Sequence, residues 1–257
     1  MIHSMNDTVL LEVKDRIAIV TINRPDRRNA FSRAVAEGLN GAFSALPDTV
    51  RAVVLAGAGS HFCAGLDIKE HKETEPFEAV KFSRSSQDLL LRMRNSGRPL
   101  IAAMQGAVIG GGMELACQAH VRVADETVFF ELPEGRRGIF VGGGASVSVA
   151  RILGADRLIE MMLTGRRYDA RDGERLGLAH YVVEEGKALE KAMEIARNVS
   201  GNAPISNYMI LQALQHIDEM PASAGYFTES LAQAMTLTSV DAKSGMEAFL
   251  RKRPTDF

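Results

Sequence analysis

A run of three consecutive glycines at 110–112 constrains this chain more than any other short stretch, because it interrupts the otherwise apolar segment GAVIGGGMELACQAH at 106–120. Glycine disfavours the interior of a helix, but it adopts positive φ angles and lets the backbone approach other groups closely. The run lies between LIAAM, which is typical of a buried strand, and MELACQA, which is typical of a helix. The sequence therefore predicts a tight strand-to-helix turn, with Glu114 in the first or second turn of the helix.

The position of Glu114 allows a catalytic and a structural interpretation. The first amides of a helix lack partners within the helix and lie at the positive end of its dipole, so this turn can stabilise a developing negative charge. The same dipole favours an acid in the first turn of any helix, and glycines at such junctions often serve tight packing alone. Taken alone, the segment favours the packing interpretation. It matches neither G-x-G-x-x-G nor a P-loop, so nucleotide binding has no support.

A second glycine-containing turn, HFCAGLDIKE at 61–70, follows the strand-like run RAVVL in the same way. Ala64 and Gly65 stand there before Leu66, so a second permissive backbone follows a second strand. Two such turns could each direct one amide N–H at a common point, which is how an oxyanion hole for a thioester or another acyl carbonyl is built. Cys63 has no accompanying His–Asp arrangement, and we interpret it as a small buried residue.

A third segment, FFELPEGRRGIFVGGGAS at 129–146, contains a second acid and a further glycine run. Pro133 rigidifies a turn that presents Glu134, which lies 20 residues after Glu114. Two carboxylates that converge beside an oxyanion hole can deprotonate a water molecule and deliver a proton to carbon. From the residues alone, Glu131 in place of Glu134, or a solvent-facing Glu134, is equally compatible with the pattern.

Short apolar runs alternate with amphipathic stretches along the first part of the chain, whereas the last part is mostly amphipathic. The strands predicted from these runs are 8–14, 16–22, 51–55, 100–104, 121–125 and 127–131. The predicted helices are 32–46, 77–94, 187–199, 207–216, 222–237 and 241–251. The first two strands form a hairpin around Asp15, and Ser32 caps the first helix. The pattern therefore predicts an α/β core followed by a helical C-terminal region that begins after about Asp156.

Composition excludes several classes of function. The chain has 257 residues, of which 46% are hydrophobic, and a net charge of −2, which gives no footprint for nucleic acid or an anionic membrane. No apolar run approaches the roughly 20 residues of a membrane span, and the start lacks the pattern of a signal peptide. Two cysteines make no disulfide framework, and His61, His71 and His120 have no metal-ligand spacing. We therefore expect a cytoplasmic protein without a metal site.

Taken together, these segments resemble the enoyl-CoA hydratase/isomerase (crotonase) superfamily over nearly the whole chain. The ordered set that carries the resemblance is INRPDRRNAFS, FCAGLDIKE, GAVIGGGMELA, LPE with its glycine-rich turn, LTGRRYDARDGERLGLAHYVV and GMEAFLRKR. The resemblance implies an α/β crotonase-like spiral of repeated ββα units with a helical C-terminal region. It places the spiral core and the active site in residues 1–195, and a helical trimerisation region in 196–257.

The resemblance also implies an activity and its residues. The backbone amides of Leu66 and Gly111 would form the oxyanion hole for a CoA thioester, and Glu114 and Glu134 match the two acids of the hydratase branch. These acids hold the water that adds to Cβ of a trans-2-enoyl-CoA while Cα receives a proton. In the usual family assignment Glu114 is the base towards water and Glu134 is the acid towards Cα.

The coenzyme portion of the substrate would lie against residues from two parts of the chain. Arg28, Ala64, Asp67 and Ile68 match positions near the N-terminal turn, whereas Phe249 and Lys252 match positions that reach the coenzyme of a neighbouring subunit. The resemblance therefore implies a homotrimer or a hexamer built as a dimer of trimers. Core packing for Phe249 and a solvated charge for Lys252 remain equally compatible with the sequence. No cofactor is expected beyond the coenzyme A that forms part of the substrate.

Three alternatives to simple hydration remain open. The run LPEGRRGIFVGGGAS, with Glu-His after FCAGLDIK, is similar to hydratases and hydratase-lyases of β-substituted substrates such as methylthioacryloyl-CoA or hydroxycinnamoyl-CoA. An isomerase or CoA hydrolase on the same scaffold, and a binding protein with degenerate chemistry, are the other two. Leu66 stands where many relatives have alanine, which would narrow the acyl pocket. Aromatic residues expected near that pocket are Phe82, Phe129, Phe130, Phe140 and Tyr226, and Arg136 and Arg137 are expected to be solvated or paired.

Overall fold

The structure is a computed structural model that describes residues 2–70, 75–255 and 257. Its strands are β1 (Ile2–Asn6), β2 (Val9–Lys14), β3 (Ile17–Ile22), β4 (Ala52–Gly57), β5 (Leu100–Met104), β6 (Ala107–Ile109), β7 (Val121–Asp125), β8 (Phe129–Glu131), β9 (Tyr168–Asp169) and β10 (Tyr181–Val183). Its helices are α1 (Arg33–Ser44), α2 (Pro76–Arg94), α3 (Gly111–Ala116), α4 (Ala145–Leu153), α5 (Ala155–Thr164), α6 (Ala170–Arg175), α7 (Ala188–Ser200), α8 (Pro204–Ile217), α9 (Ala222–Leu237) and α10 (Val240–Leu250).

Two sheets form the core of the molecule. The main sheet has the order β1-β2-β3-β4-β5-β7-β10, and the smaller second sheet has the order β6-β8-β9. The first three strands of the main sheet are antiparallel, whereas β3, β4, β5, β7 and β10 pair in parallel. Parallel strands need long crossover connections, and here the helices supply them. The fold class predicted from the sequence is confirmed.

A repeated unit builds the spiral. β5, β6 and α3 follow one another along the chain, and β7, β8 and α4 repeat that order. In the earlier units, two isolated parallel bridges, Phe31 with Leu66 and Cys63 with Val108, take the place of second-layer strands. Each unit thus supplies one main-sheet strand, one short strand or bridge in the second layer, and a helix. Successive turns of the spiral therefore bring the ends of their second-layer segments side by side.

Alternate side chains of the main sheet point into two separate hydrophobic clusters. Leu55 of β4 lies in the larger cluster, whereas its neighbour Val54 lies in the smaller one. The smaller cluster is closed by α7, whose Ala188, Ala192 and Ala196 are buried there at a spacing of four residues. Because both faces of the central strands are covered, those strands consist of apolar residues almost throughout. The central strands of the main sheet are therefore packed against side chains on both faces.

The predicted helices and strands agree with the structure to within a few residues, but the helical C-terminal region does not begin at about Asp156, because β10 still pairs with β7 in the main sheet. The hairpin turns at Asp15, which has a φ of 56°, and the hydroxyl of Ser32 accepts the N–H of Val35 at 3.2 Å as the N-cap of α1. The strand expected at 127–131 is shorter, because β8 begins only at Phe129. The predicted boundary between residues 195 and 196 falls within α7, and the division into a core and a trimerisation region remains a prediction. Among the described helices, none combines the length and apolar character needed to cross a bilayer.

Candidate active site

The three glycines of the turn before α3 differ in whether the structure requires glycine at their position. Gly110 has φ 50° and ψ −117°, a conformation that residues with a side chain rarely adopt. A β-carbon on Gly112 would lie 2.2 Å from the carbonyl oxygen of Cys63, so the close approach of α3 to the second layer requires glycine there. Gly111 has neither constraint, since a β-carbon would meet only ordinary contacts, the nearest at 3.7 Å. The packing interpretation therefore explains Gly110 and Gly112 but not Gly111.

The amide N–H groups of Leu66 and Gly111 lie next to each other. Phe31 donates its N–H to the carbonyl of Gly65 at 2.7 Å, and Asp67 donates its N–H to the carbonyl of Phe31 at 3.0 Å. Because successive N–H groups of an extended segment point in opposite directions, that of Leu66 points away from Phe31. The N–H of Gly111 is the first of α3 and has no carbonyl partner within the helix. A β-carbon on Gly111 would lie only 3.7 Å from the amide nitrogen of Leu66.

Glu114 lies in the first turn of α3 and is held by the start of α4. Its side chain is 7% exposed, and its Oε1 accepts the N–H of Gly143 at 2.7 Å and of Ala145 at 3.1 Å. Burial raises the pKa of Glu114, while the amides of the turn at 142–145 oppose that rise because they stabilise the ionised form. The carboxylate is therefore desolvated but fixed by two backbone donors.

Glu134 begins a 3₁₀ turn and has a less favourable environment for its charge. It is 6% exposed, and its Oε2 is buried without a hydrogen-bond partner among the described residues. Burial is the largest cause that raises the pKa of Glu134, and the nearby carboxylates of Glu114 and Glu131 raise it further. The backbone N–H of Glu134 itself and the exposed Arg137 oppose this rise. The pKa is therefore raised for both carboxyls, and carboxylate neighbours contribute to the rise at Glu134.

These four groups line one cleft of about 810 Å³. A β-carbon on Gly110 would lie 2.9 Å from Oε1 of Glu134, and one on Gly111 would lie 3.9 Å from Oε2 of Glu114. The two carboxyls therefore flank consecutive residues of the glycine turn, beside the amides of Leu66 and Gly111. Such a site can bind a carbonyl oxygen through two N–H donors and hold a water molecule between two carboxyls.

The residues expected to contact the coenzyme near the N-terminus lie on two adjoining loops. Arg28 is exposed, and its carbonyl accepts the N–H of Ala64 at 3.0 Å. Asp67 lines the cleft, but its carboxylate pairs with Arg24 at 3.0 Å, so that side chain is already occupied by a structural ion pair. The side chain of Ile68 is largely exposed beside it. The structure thus brings together the four positions expected from the sequence.

The two residues near the C-terminus that were expected to contact the coenzyme lie outside the cleft. Phe249 of α10 is 83% exposed, and Lys252 is exposed just after that helix. Neither residue is among those that line the cleft. The core-packing alternative for Phe249 is wrong in this chain because its ring is not buried. A contact of either residue with a neighbouring subunit remains a prediction.

Of the five aromatic residues expected near the acyl group, two line the cleft. Phe82 of α2 and Phe140, which follows the Glu134 turn, are exposed and face it. Phe130 is instead buried in the core, and Phe129 packs against the guanidinium of Arg167, which lies 4.7 Å from its ring centre. Tyr226 is exposed on α9 and is absent from the lining of the cleft. Alternation along β8 explains the difference for the adjacent pair, because their side chains point to opposite faces.

Asn29 is a structural residue of the site that sequence reasoning did not single out. It is fully buried in a left-handed conformation, and its Oδ1 accepts the N–H of Arg24 at 2.9 Å. Its Nδ2 donates to the carbonyls of Ala58 at 2.8 Å and His61 at 2.6 Å. Asn29 therefore ties the N-terminal turn to the segment that leads to Leu66. A buried amide of this kind has no periodic signal in a sequence, although asparagine tolerates the left-handed conformation.

Among the described residues, Cys63, His61 and His120 provide no further catalytic group near the cleft. Cys63 is buried, and burial raises the pKa of its thiol to about 12, so it stays protonated and weakly nucleophilic. His61 and His120 each accept a backbone N–H at Nδ1, and His71 lies outside the described residues. Within the described ranges, no three His, Cys, Asp or Glu side chains are placed to hold a metal ion.

Comparison with known proteins identifies relatives with this architecture. The family model described as enoyl-CoA hydratase/isomerase matches residues 12–257. Enoyl-CoA hydratase EchA19 of Mycobacterium tuberculosis is 34% identical over 254 residues, which cover 96% of this chain and 95% of that protein. The short-chain-enoyl-CoA hydratase of Clostridium acetobutylicum is 32% identical over 250 residues, which cover 96% of each protein.

Solved structures show the same relationship. A candidate enoyl-CoA hydratase of Rhodopseudomonas palustris superposes with a TM-score of 0.93 at 41% identity and covers 95% of both chains. The enoyl-CoA hydratase of Bacillus anthracis superposes with a TM-score of 0.92 at 28% identity and covers 97% of this chain and 98% of that one. The chain therefore belongs to the enoyl-CoA hydratase/isomerase (crotonase) superfamily as an enzyme of its hydratase branch, which implies an acyl-CoA thioester as its substrate.

Proposed function

We propose that the enzyme adds water across the 2,3 double bond of a trans-2-enoyl-CoA. One observation carries this proposal, namely that Glu114, Glu134 and the amides of Leu66 and Gly111 line one cleft. Hydration of an enoyl thioester requires N–H donors, because charge develops on the thioester oxygen. It also requires acid and base groups, because protons move at Cα and at the attacking water. Membership of the hydratase branch supports the same reaction.

The two amides would bind the thioester carbonyl oxygen. Attack of water at Cβ gives this oxygen enolate character, so two fixed N–H donors stabilise charge where it develops. A missing donor in such a site typically lowers kcat by about 10²–10³-fold. Gly111 fits this role, because a β-carbon there would make only ordinary contacts and packing does not explain the glycine.

The environments of the two carboxyls support different roles. Glu114 accepts two backbone N–H groups, which favour its ionised form, so it would act as the base. Glu134 has an unpartnered oxygen and two negative neighbours, which favour its protonated form, so it would act as the acid. Two carboxyls whose surroundings separate their protonation states in this way are typical of an acid/base pair.

The proposed hydration moves one proton at each carboxyl. A lone pair of the water oxygen forms the bond to Cβ while Glu114 takes a proton from that water. The π electrons of the double bond move through Cα to the thioester oxygen, and Cα then takes the proton of Glu134. The product is a 3-hydroxyacyl-CoA, with Glu114 protonated and Glu134 ionised. Proton exchange with solvent returns the pair to its starting state.

The coenzyme and the oligomer are part of the same proposal. Arg28, Ala64, Asp67 and Ile68 would contact the coenzyme from its own subunit, with Asp67 acting through its backbone because its carboxylate pairs with Arg24. Phe249 and Lys252 are exposed and would reach the coenzyme of a neighbouring subunit in a trimer or a dimer of trimers. No cofactor is proposed beyond the coenzyme A of the substrate.

The direct test compares kcat/KM for crotonyl-CoA, longer trans-2-enoyl-CoAs, an aryl-acryloyl-CoA and methylthioacryloyl-CoA. We expect loss of the enoyl-thioester absorbance together with formation of the 3-hydroxyacyl product. Release of a thiol from the β-position of methylthioacryloyl-CoA would identify a hydratase-lyase. Release of free coenzyme A without hydration would identify a hydrolase, and the absence of any reaction would contradict the proposal.

The oxyanion hole can be tested at the first residue of α3. Gly111→Pro removes the N–H at a position where a helix tolerates proline, whereas Gly111→Ala keeps the N–H and adds a β-carbon with ordinary contacts. We expect the proline variant to lose about 10²–10³-fold in kcat relative to the alanine variant. Equal activity of the two variants would remove the Gly111 amide from the mechanism.

A further inference from the structure

The turn that holds Glu114 is itself held by side chains of α2. The carbonyl of Gly142 accepts the hydroxyl of Ser83 at 2.6 Å and the Nε2 group of Gln87 at 3.0 Å. Ser83 and Gln87 lie four residues apart and therefore on the same face of α2. One backbone carbonyl thus receives two side-chain donors from a neighbouring helix.

The amide of Gln87 is oriented by two further contacts on α2. Arg84 donates from Nη1 to Oε1 of Gln87 at 2.8 Å, so the oxygen of that amide faces Arg84. Its Nε2 therefore faces Gly142 and also lies 3.2 Å from the hydroxyl oxygen of Ser83. These contacts make a connected set of donors whose common acceptor is the turn.

The turn at 142–145 needs such an external support. It contains three consecutive glycines, and Gly144 has a φ of 109°, so its own sequence does little to restrict its conformation. Yet the positions of its amides must be well defined, since Gly143 and Ala145 donate to Oε1 of Glu114. A β-carbon on Gly143 would lie 2.5 Å from Oε2 of Glu114 and 3.2 Å from Cδ1 of Leu90. The turn is therefore packed tightly between α2 and the carboxylate.

We propose that Ser83 and Gln87 are positioning residues, which hold the turn at 142–145 in the conformation that presents its amides to Glu114. The proposal rests on the proposed role of Glu114 and adds to it a connection from α2 to the catalytic base. Ser83 and Phe82 line the cleft, whereas Gln87 is not among the lining residues. Gln87 therefore acts on the reaction only through the turn, and an acyl group bound against α2 contacts the same helix that positions the base.

The same ionisable groups surround Glu114 in every variant of the test. Glu134 lies across the cleft and interacts with Glu114 electrostatically. Cys117 at the end of α3 also interacts with Glu114, but burial raises the pKa of its thiol to about 11, so it is neutral. Arg84 is exposed and contacts Gln87 rather than the carboxylate. Uncharged replacements at Ser83 and Gln87 therefore change the support of the turn without adding or removing a charge.

The variants are Ser83→Ala and Gln87→Met, which remove the donors, and Ser83→Thr, which keeps the hydroxyl. Ser85→Ala is the matched control, because the hydroxyl of Ser85 donates only to the carbonyl of Phe82 within the same helix. We expect kcat to fall about tenfold in Gln87→Met and in Ser83→Ala, as for one lost hydrogen bond at a site that requires fixed geometry. KM should change little in Gln87→Met, Ser83→Thr should recover most of the kcat lost in Ser83→Ala, and Ser85→Ala should keep wild-type kcat.

A second measurement decides the proposal independently of activity. The pKa of Glu114 is followed by ¹³C NMR of carboxyl-labelled glutamate, with its signal assigned by its absence from Glu114→Gln. We expect a higher pKa in Ser83→Ala and Gln87→Met, because the amides of the turn would stabilise the ionised carboxylate less well. A pKa equal to that of Ser85→Ala in both variants would overturn the proposal. If the wild-type protein hydrates none of the CoA esters, the proposed function fails, whereas this titration still decides the positioning role.

Discussion

The two carboxyls of the cleft differ in how the fold supports them, although both are almost completely buried. Glu114 lies on α3, and its carboxylate accepts two amide N–H groups of the turn at 142–145. A side chain of α2 in turn donates a hydrogen bond to this turn. Glu134 begins a single 3₁₀ turn and leaves one oxygen without a partner among the described residues. Burial raises the pKa of both carboxyls and backbone donors oppose the rise at both, but at Glu134 the neighbouring carboxylates of Glu114 and Glu131 add to it.

This difference in surroundings supports the different protonation states proposed for the two side chains. Hydrogen bonds to the ionised form favour a base, and isolation of an oxygen beside other negative charges favours an acid. The sequence contains a glutamate at each position and nothing that distinguishes them. The distinction arises from what the folded backbone places around each carboxyl.

The largest expected effect comes from removing either carboxyl. Glu114→Gln and Glu134→Gln should each lower kcat by about 10²–10⁴-fold, because each variant loses one partner of the acid/base pair. Glu131→Gln is the control, since Glu131 is buried nearby but pairs with Arg167 at 2.6 Å and does not line the cleft. Wild-type kcat in Glu134→Gln, or a loss in Glu131→Gln as large as in the other two, would contradict the assignment.

A smaller loss of kcat is expected when Glu114 is still present but its carboxylate is shifted. A β-carbon on Gly143 would approach Oε2 of Glu114 to 2.5 Å, whereas one on Gly142 would make only ordinary contacts, the nearest at 3.6 Å. Gly143→Ala should therefore lower kcat by up to about 10²-fold, the cost of a misplaced catalytic group, while Gly142→Ala should stay near wild type. Steady-state kinetics of the two variants measure this contrast. Equal activity would show that the position of Glu114 is not critical.

The pH dependence of kcat/KM should report the protonation of Glu114 and Glu134. Protonation of Glu114 removes the base, so kcat/KM should fall at low pH, and ionisation of Glu134 removes the acid, so it should fall at high pH. Because both pKa values are raised by burial, the acidic limb should lie above about 4.3, the ordinary value for a glutamate. The two limbs belong to the coupled pair rather than to single residues. An activity that stays constant down to pH values below that range would be incompatible with an ionised base.

The smallest effect is one on stability and has the opposite sign from the effect on activity. A carboxyl whose pKa is raised by folding stabilises the protein fully below its unfolded pKa, and this contribution is lost as pH rises through the folded pKa. At pH 8, Glu134→Gln should therefore be more stable than wild type by about 1 kcal/mol, the cost of an unpartnered buried polar group.

Glu114→Gln is the matched variant for this comparison of stability. Glu114→Gln should gain less stability than Glu134→Gln, because the carboxylate of Glu114 already accepts two N–H groups. Urea unfolding at one protein concentration, at pH 8 and at pH 5, measures both variants. The advantage of Glu134→Gln over wild type should shrink at the lower pH. An advantage that grows as the pH falls would show that the carboxyl of Glu134 is stabilised in its ionised form.

The sequence was sufficient for the fold because local patterns and the fold agree there. Alternation of apolar residues predicts the hairpin at Asp15, and β5 lies where the run LIAAM predicts it. The glycine run at 110–112 likewise predicts a turn that leads into α3. What the sequence cannot give is which glycine serves which purpose. Only the folded structure shows that Gly112 approaches Cys63 too closely for a β-carbon, whereas a β-carbon on Gly111 would make ordinary contacts.

The site was predictable only in part for a related reason. Glu114 and Glu134 could be proposed from motifs, but their different supports depend on contacts between segments that are distant in sequence. Gln87 and Gly142 lie 55 residues apart, and Asn29 joins loops that are 32 residues apart at His61. Buried hydrogen bonds of this kind have no periodicity, so a single sequence gives no signal for them. Likewise, the sequence shows two adjacent aromatic residues at Phe129 and Phe130. Only their positions on β8 show that neither of them lines the cleft.

One crystal structure would test the central claim most directly, that of this protein with a bound, unreactive 3-ketoacyl-CoA. We expect the thioester oxygen within about 3 Å of the amide nitrogens of Leu66 and Gly111. We also expect Cα and Cβ of the ligand between the carboxyls of Glu114 and Glu134. A ligand bound with its thioester oxygen away from both amides, or with only one carboxyl beside these carbons, would contradict the account.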